Sequence, residues 1–417
     1  MFPAFTLAWR PTKEAFFPEN DILNDLKIRF AWGQNGNAAI GNWYASYSTY
    51  AYDLRASYDF DGSNTSATPG IIVASSGNTA LKWETTTQTN IGLDLTMFNG
   101  SLGISADYYF KNTKDMLTEP PTLSVAGENA KMWMNTGSME NRGWEVALNY
   151  YSPRYGDFSW KGSFNIAQYK NKLTYLFERR SVLGDGDSRL IIGEPMGIYY
   201  GYVCDGIYQS AEQVANHATQ PGAAPGRLIY RDLDGNGLID ENDRCIIGDP
   251  NPDLSMGLNL DFSYKDFTLS AFFSGEFGMD VINSVKKNLY FMTYGDASTN
   301  RSVDILNAWT PDNTNSQIPA LTVSDDNNEA RFSSYYVEDG SYVKLKYIKL
   351  TYRLPEKLLR PIHASAIHVF GQVENVFTIS KYSGLDPEIP ASGWGARVDN
   401  APYPRPRVFT LGINVQF

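Results

Sequence analysis

Alternating apolar and polar residues recur along this chain and predict strands with two unlike faces. In the last ten residues the apolar positions are Phe409, Leu411, Ile413, Val415 and Phe417. The alternation changes phase between Tyr342 and Leu354, which predicts a β-bulge in that stretch. We predict eleven strands, at 2–10, 25–33, 88–98, 101–112, 143–152, 157–169, 254–264, 267–277, 342–353, 366–375 and 408–417.

The lengths of the strands and of their connections indicate a membrane barrel. The strands average roughly ten residues, about twice the usual length in globular sheets, and a tilted membrane-spanning strand needs that length. Short and long connections alternate without exception, as the periplasmic turns and outer loops of outer-membrane barrels do. The predicted fold class is therefore an all-β, antiparallel transmembrane β-barrel. The alternative, a soluble β-sandwich or propeller with long insertions, gives no reason for the alternation.

The alternation also orients the chain. If strand 408–417 ends in the periplasm, every long connection is extracellular and strand 2–10 starts at the outer surface. Intact bacterial barrels start and end on the periplasmic side and have an even number of strands. We therefore expect a barrel fragment, and the lack of a secretory signal at the amino terminus favours this over one miscounted strand. Residues 279–293 and 302–309 are predicted to be short amphipathic helices in an outer loop.

Composition narrows the possible partners and chemistry. The chain has 417 residues and a net charge of −11, which argues against a nucleic-acid partner. Its three histidines, His217, His363 and His368, are too far apart for a local zinc motif. No catalytic motif is present, so we predict neither an enzyme nor an organic cofactor. Cys204 and Cys245 either pair or remain as two buried thiols.

Aromatic residues make up 14 % of the chain and cluster in places. Such rings either bind sugars, lie at the bilayer interface or pack within loops. Packing within loops or at the interface is the expectation for the two clusters, which are Trp43, Tyr44 and Tyr47, and Tyr199, Tyr200 and Tyr202.

One motif has the spacing of a calcium-binding loop. Residues 232–243 read DLDGNGLIDEND, with Gly237 at the sixth position, where a sharp turn is needed. The motif departs from the usual pattern in its last ligand, which is Asp rather than Glu, and in its β-like flanks. The alternative is a solvated acidic turn. The predicted Ca²⁺ ligands are the side chains of Asp232, Asp234, Asn236, Asp240 and Asp243 and the carbonyl oxygen of Leu238.

Longer stretches carry a family resemblance. They include LKIRFAWGQNGN (26–37), NTGSMENRGWEVALNY (135–150), VEDGSYVKLKYIKLTYRLP (337–355) and YPRPRVFTLGINVQF (403–417). Together with the acidic loop they span nearly the whole chain. In that order they resemble the C-terminal half of the β-barrel of SusC/RagA-type TonB-dependent outer-membrane transporters.

The resemblance implies a function and a set of partners. Residues 1–417 would form about half of a 22-strand barrel in the cell outer membrane, in contact with lipid, and the plug domain is absent from them. Such transporters import oligosaccharides or peptides with energy from the TonB complex, reached through an N-terminal region, under a SusD-like surface lipoprotein. Two alternatives stay open: a passive outer-membrane porin, and a secreted calcium-dependent glycan-binding β protein.

Overall fold

One antiparallel sheet of eleven strands dominates the computed structural model. The model describes residues 1–18, 21–40, 43–60, 62, 67–119, 132–176, 182–183, 188–292, 300–359, 361, 364–393 and 395–417. Each strand of the sheet pairs with the next one along the chain, and among these residues the first and last strands do not pair, so the sheet is open. The strands are β1 (Ala4–Trp9), β2 (Leu23–Asn37), β3 (Glu84–Met97), β4 (Leu102–Thr118), β5 (Met134–Tyr151), β6 (Phe158–Leu176), β7 (Leu254–Tyr264), β8 (Phe267–Phe277), β9 (Tyr342–Arg353), β10 (Ala366–Ser380) and β11 (Val408–Gln416).

One face of the sheet is apolar. A row of directly paired positions crosses β1 to β5 on this face and consists of Leu7, Phe30, Ile91, Tyr108 and Trp144. The first four of these side chains are exposed. A continuous exposed apolar surface is unfavourable in water, but it is what the lipid-facing band of a barrel requires. The apolar face therefore fits a bilayer.

The opposite face carries paired charges. Arg29 donates from Nε to Asp94 at 2.8 Å and from an Nη nitrogen to Asp107 at 2.7 Å. Asn90 donates to Asp107, and Ser105 donates to Asp94, each at 2.8 Å. Polar side chains of this kind line the interior of outer-membrane barrels. The two faces thus correspond to lipid and lumen.

The predicted bulge is confirmed in β9. The register of β9 shifts between Leu345 and Tyr347 against both neighbours. Relative to β8, Lys346 is the additional residue of β9, whereas β10 has two residues, Asn375 and Val376, over the same interval. Leu345 lies opposite Phe273, on the apolar face, whereas Tyr347 lies opposite Phe272, on the polar face. The extra residue is the reason for the change of phase in the sequence.

All eleven predicted strands are present, but several predicted bounds are too short. The extensions lie mainly at the ends that lead into long connections. In β2 and β3 the extended segments are polar on both faces, as in the TTTQ of residues 85–88, so alternation no longer marks them. The affected ends are Asn37 of β2, Glu84 of β3, Thr118 of β4, Met134 of β5, Leu176 of β6 and Ser380 of β10.

Five long connections lie at one end of the sheet; we name them loop A (38–83), loop B (119–133), loop C (177–253), loop D (278–341) and loop E (381–407). Most of loop B is outside the described residues. The strands of loop A are Thr49–Tyr58 and Thr68–Ser75. Loop C contains strands Val182–Leu183, Ser188–Ile191, Ile198–Tyr202, Cys204–Ile207, Leu228–Tyr230 and Arg244–Gly248, helix Ala211–Ala215 and 3₁₀ helix Glu241–Asp243. Loop D contains strands Asp280–Asn283 and Val337–Asp339, helix Val285–Tyr290 and 3₁₀ helices Val303–Asn307 and Ser334–Tyr336, and loop E contains strands Ala391–Ser392 and Ala396–Asp399.

The connections at the other end are short. They hold a 3₁₀ helix at Pro11–Lys13 and a helix at Glu356–Leu359. Their tightest example is the turn at 265–266, where Lys265 has a φ of 53°. The described part of the chain contains no helix that is both long enough and apolar enough to cross a membrane.

The helix predicted at 279–293 is wrong over its first part. Asp280–Asn283 is a strand that pairs with Val337–Asp339 and, in parallel, with Ala396–Asp399. Val281 and Ile282 are fully buried, and such β-branched residues pack well in a strand. Only Val285–Tyr290 is helical, and the segment predicted at 302–309 forms a 3₁₀ helix at Val303–Asn307.

Candidate functional site

Loops C, D and E pack together into one assembly with its own hydrophobic core. Tyr199 and Tyr230 of loop C and Tyr336 of loop D are fully buried at its centre. Phe291 and Trp309 of loop D belong to the same cluster. Aromatic side chains bury large areas and can keep a polar group available for hydrogen bonds. The Tyr199 hydroxyl joins loop C to loops D and E, whereas the Tyr336 hydroxyl donates within loop D, to the carbonyl oxygen of Glu329.

Tyr199 connects the three loops through its hydroxyl group. The Oη donates toward the carbonyl oxygens of Asp280 in loop D, at 3.1 Å, and of Arg397 in loop E, at 3.0 Å, and it accepts from the Arg397 backbone N–H at 3.1 Å. Burial raises the pKa of Tyr199, so the group stays protonated. The Arg397 guanidinium also donates to the carbonyl oxygens of Pro250 and Ile389.

A charge cluster fixes loop E to β9. Lys344 is only 3 % exposed and contacts Asp386 at 2.8 Å and Glu388 at 3.1 Å. Lys346, the bulge residue, also pairs with Glu388, and Arg405 lies 3.5 Å from the same carboxylate. Burial alone would raise the pKa of Glu388, but hydrogen bonds from Lys346 and Lys344 outweigh it and hold the pKa below its usual value.

A second polar cluster joins loop C to loop D. The Glu329 carboxylate is almost fully buried; it accepts from the Leu228 N–H at 3.0 Å and from Arg227 Nη1 at 3.0 Å. Burial raises the pKa of Glu329, although the bond from Leu228 and the Arg227 charge oppose this. Gln220 donates to the Asn327 side chain at 2.7 Å. Sequence reasoning did not identify these residues, because their partners lie about one hundred positions away along the chain.

The predicted calcium loop is a compact acidic turn on the surface of loop C. Asp232 accepts hydrogen bonds from the backbone N–H groups of Gly235 and Gly237 at 2.8 and 2.9 Å. Both bonds lower the pKa of Asp232, and the bond from Gly237 has the larger effect. Gly237 has a φ of 81°, a conformation that favours glycine at this sixth position. Asp243 is fully buried and accepts from the Leu233 and Asp240 N–H groups.

The structure brings three of the predicted ligands together. Carboxylate oxygens of Asp232, Asp234 and Asp243 all lie within 4.8 Å of one another. Asp240 is not in this group; its side chain accepts from the Asn242 N–H at the start of a 3₁₀ helix. Asn236 accepts from the Leu238 N–H. The roles of all six residues as ligands stay predictions.

The cysteines, the two aromatic clusters and two of the histidines can be located in the structure. Cys204 and Cys245 are free thiols, as the second of the two sequence alternatives stated, although both are only partly buried. Tyr199 and Tyr202 are buried in the loop core, whereas Trp43, Tyr44 and Tyr47 of loop A are exposed. His217 lies 2.9 Å from the Tyr208 hydroxyl, His368 lies within β10, and His363 is outside the described residues.

Comparison with known proteins finds TonB-dependent receptors by both family model and sequence similarity. Residues 1–196 match the family described as TonB dependent receptor-like, beta-barrel. TonB-dependent receptor P3 of Formosa agariphila is 34 % identical over 433 residues, which cover 100 % of this chain and 42 % of that protein. TonB-dependent receptor SusC of Bacteroides thetaiotaomicron is 29 % identical over 429 residues, which cover 100 % and 40 %.

A solved structure agrees with these sequence matches. The structure of the RagAB peptide transporter superposes with a TM-score of 0.83 at 25 % identity, covering 100 % of this chain and 43 % of that one. The chain therefore spans less than half the length of the relatives that it matches.

Proposed function

We propose a function from one premise: the chain carries a TonB-dependent receptor β-barrel domain homologous to SusC. In this proposal the chain forms part of the barrel wall and several of the outer loops of a nutrient importer. Receptors of this family are outer-membrane transporters rather than enzymes, and the chain is accordingly assigned to the outer membrane. The observation that carries the proposal is the large sheet, with one apolar face, one polar face and its long loops gathered at one end.

We further propose that this sheet is one half of a 22-strand barrel. Two observations support this: eleven strands are half of twenty-two, and the chain covers 40–43 % of its relatives. The plug and the segment that contacts the TonB complex would belong to the rest of the receptor. A SusD-like surface lipoprotein is the proposed partner on the outside, above loops C, D and E, and the cargo would be an oligosaccharide or a peptide.

Growth of a bacterium that carries the full-length receptor tests the import function. Deleting the receptor gene should abolish growth on one oligosaccharide or peptide source, and the full-length gene should restore it only when TonB is present. Uptake that continues without TonB would instead identify a passive porin. Recovery of the protein from the medium, rather than from the outer-membrane fraction, would identify a secreted binding protein.

We also propose that the acidic loop of residues 232–243 binds Ca²⁺. Carboxylate and carbonyl oxygens are the ligands that Ca²⁺ prefers, and a divalent cation would relieve the repulsion between Asp232, Asp234 and Asp243. Each carboxylate oxygen that accepts an N–H bond has a further lone pair for a cation. An affinity on the order of 10⁻⁴–10⁻³ M is typical of extracellular calcium modules.

Limited proteolysis in calcium and in chelator tests this site. Calcium should protect residues 228–248 of the wild-type receptor, and the double variant Asp232→Ala, Asp234→Ala should lose that protection while its sheet stays intact. Asp312→Ala, which removes an exposed carboxylate from loop D, is the matched control and should behave as wild type. Equal cleavage of wild type in calcium and chelator would show that the motif is only an acidic turn.

A further inference from the structure

Three adjoining cavities lie in series across the loop assembly, and together we name them the loop groove. Its first section, of about 590 Å³, lies between Gly206 of loop C and residues 314–317 of loop D. Its second section, of about 510 Å³, is lined by Asn307 and Glu338 of loop D. Its third section, of about 500 Å³, lies between helix Val285–Tyr290 and loop E.

Shared lining residues show that the three sections adjoin one another. Gln317 and Tyr335 line both the first and the second section. Lys286, Tyr290 and Asp304 line both the second and the third. Cavities of several hundred Å³ with a few polar groups are typical ligand sites, and three in series fit an extended chain better than a compact molecule.

The polar side chains of the groove include carboxamides without a partner. Asn307, Asn315 and Gln317 are exposed, and no hydrogen bond joins their side chains to any residue that the structure describes. Their backbone is nevertheless held in place, because the carbonyl oxygens of Asn307 and Gln317 accept from Ser316 and Tyr335. A carboxamide both donates and accepts, which matches a ligand rich in hydroxyl groups.

The charges of the groove disfavour an anionic ligand. Its two lining cations are already paired: Lys286 with Glu338 at 2.6 Å and Arg405 with Glu388 at 3.5 Å. No other Lys or Arg lines the three sections within the described residues. Six carboxylates line them, from Asp205, Asp304, Glu338, Asp386, Glu388 and Asp399. A uronic or sulfated glycan, and the C-terminal carboxylate of a peptide, would find no free cation there.

Aromatic rings complete the lining. Tyr335 and Tyr290 lie along the groove, and Tyr403 of loop E is 89 % exposed at its third section. From the three adjoining cavities, the free carboxamides, these rings and the acidic lining we infer that the loop groove binds a neutral oligosaccharide. This inference rests on the proposed import function and names the cargo of the outer loops.

Isothermal titration calorimetry on the purified full-length receptor tests the inference. The probes are maltohexaose, cellohexaose, xylohexaose and mannohexaose, together with a hexagalacturonate and a mixture of neutral hexapeptides. At least one neutral hexasaccharide should bind, and the hexagalacturonate and the peptides should not. Binding of the peptides alone, of the hexagalacturonate, or of none of the probes would overturn the inference.

Variants locate the binding. Asn315→Leu and Gln317→Leu should each weaken hexasaccharide binding about tenfold, because each loses hydrogen bonds to the ligand. Asn300→Leu, an exposed carboxamide outside the groove, is the matched control and should bind as wild type. Tyr403→Ala should weaken binding and Tyr403→Phe should retain it. Unchanged binding in all groove variants would overturn the inference.

TonB-dependent growth separates failure of the inference from failure of the proposed function. A receptor that supports such growth but shows no groove-dependent binding would overturn the inference alone. A receptor that binds the hexasaccharide through the groove but supports no TonB-dependent uptake would overturn the import function alone.

Discussion

Tyr199 is the residue at which loops C, D and E meet, because its single hydroxyl group bonds to backbone atoms of Asp280 and Arg397. Removing a buried hydroxyl leaves its partners unsatisfied, which costs about 1–3 kcal/mol. We predict that Tyr199→Phe loosens the loop assembly and leaves the sheet unchanged. Hydrogen exchange of the Arg397 amide should accelerate.

The neighbouring tyrosine provides the control for this substitution. Tyr200 is only partly buried, and within the described residues its hydroxyl makes no hydrogen bond. Tyr200→Phe should therefore leave exchange in loop E unchanged. Equal acceleration in both variants, or in neither, would show that the Tyr199 hydroxyl does not hold the loops together.

Glu388 makes the attachment of loop E dependent on pH. Because its folded pKa lies below the usual 4.5, the ionised form stabilises the folded state. That stabilisation is present above pH 4.5 and is lost as the pH falls through the folded value. We predict that cleavage of loop E by pepsin increases as the pH falls below about 4.5.

The variant Glu388→Gln isolates this effect. Lys344, Lys346 and Arg405 face the carboxylate, and Asp386 shares Lys344 with it. The substitution should loosen loop E at neutral pH and reduce the pH dependence. If pepsin cleaved loop E with the same pH dependence in wild type and in Glu388→Gln, Glu388 would not be the group that makes the attachment depend on pH.

At the scale of the elements, the bulge in β9 sets which residues face the lumen. Deleting Lys346 would shift every position from Tyr342 to Leu345 to the opposite face, because side chains alternate along a strand. Lys344 would then point to lipid and lose Asp386 and Glu388. We predict that the deletion prevents assembly, measured as loss of heat-modifiable mobility of the receptor on gels.

The substitution Lys346→Ala keeps the register and removes only the ammonium group. It should assemble normally and lose only the contact with Glu388. If the deletion variant assembled as well as Lys346→Ala, the bulge would not determine the register.

Elements of the large sheet were predictable from the sequence, and those of the loops were not. Long strands between lipid and lumen must alternate, so their pattern is visible in the residues themselves. Strands such as Cys204–Ile207 and Leu228–Tyr230 are too short to alternate, and the latter is buried throughout. The acidic loop was found because its spacing is local, whereas the Glu329 cluster depends on contacts between distant segments.

At the scale of the whole molecule, the two edge strands of the sheet have no partner on their outer sides among the residues that the structure describes. Both carry exposed apolar residues, including Phe5 and Leu7 in β1 and Phe409 and Leu411 in β11. Unpaired apolar edges promote association with other strands. In the proposed 22-strand receptor, further strands would pair with both edges within the membrane. The end of the sheet that carries the long loops would face the outside, and the end with the short turns would face the periplasm.

Cysteine labelling in intact cells tests that orientation most directly. In a full-length receptor carrying Cys204→Ser and Cys245→Ser, one probe cysteine replaces Asp312 in loop D and another replaces Asp266 in the turn between β7 and β8. A membrane-impermeant maleimide should label the Asp312→Cys receptor in intact cells, and the Asp266→Cys receptor only after the outer membrane is permeabilised. Labelling of Asp266→Cys in intact cells, or equal labelling of both, would contradict the account.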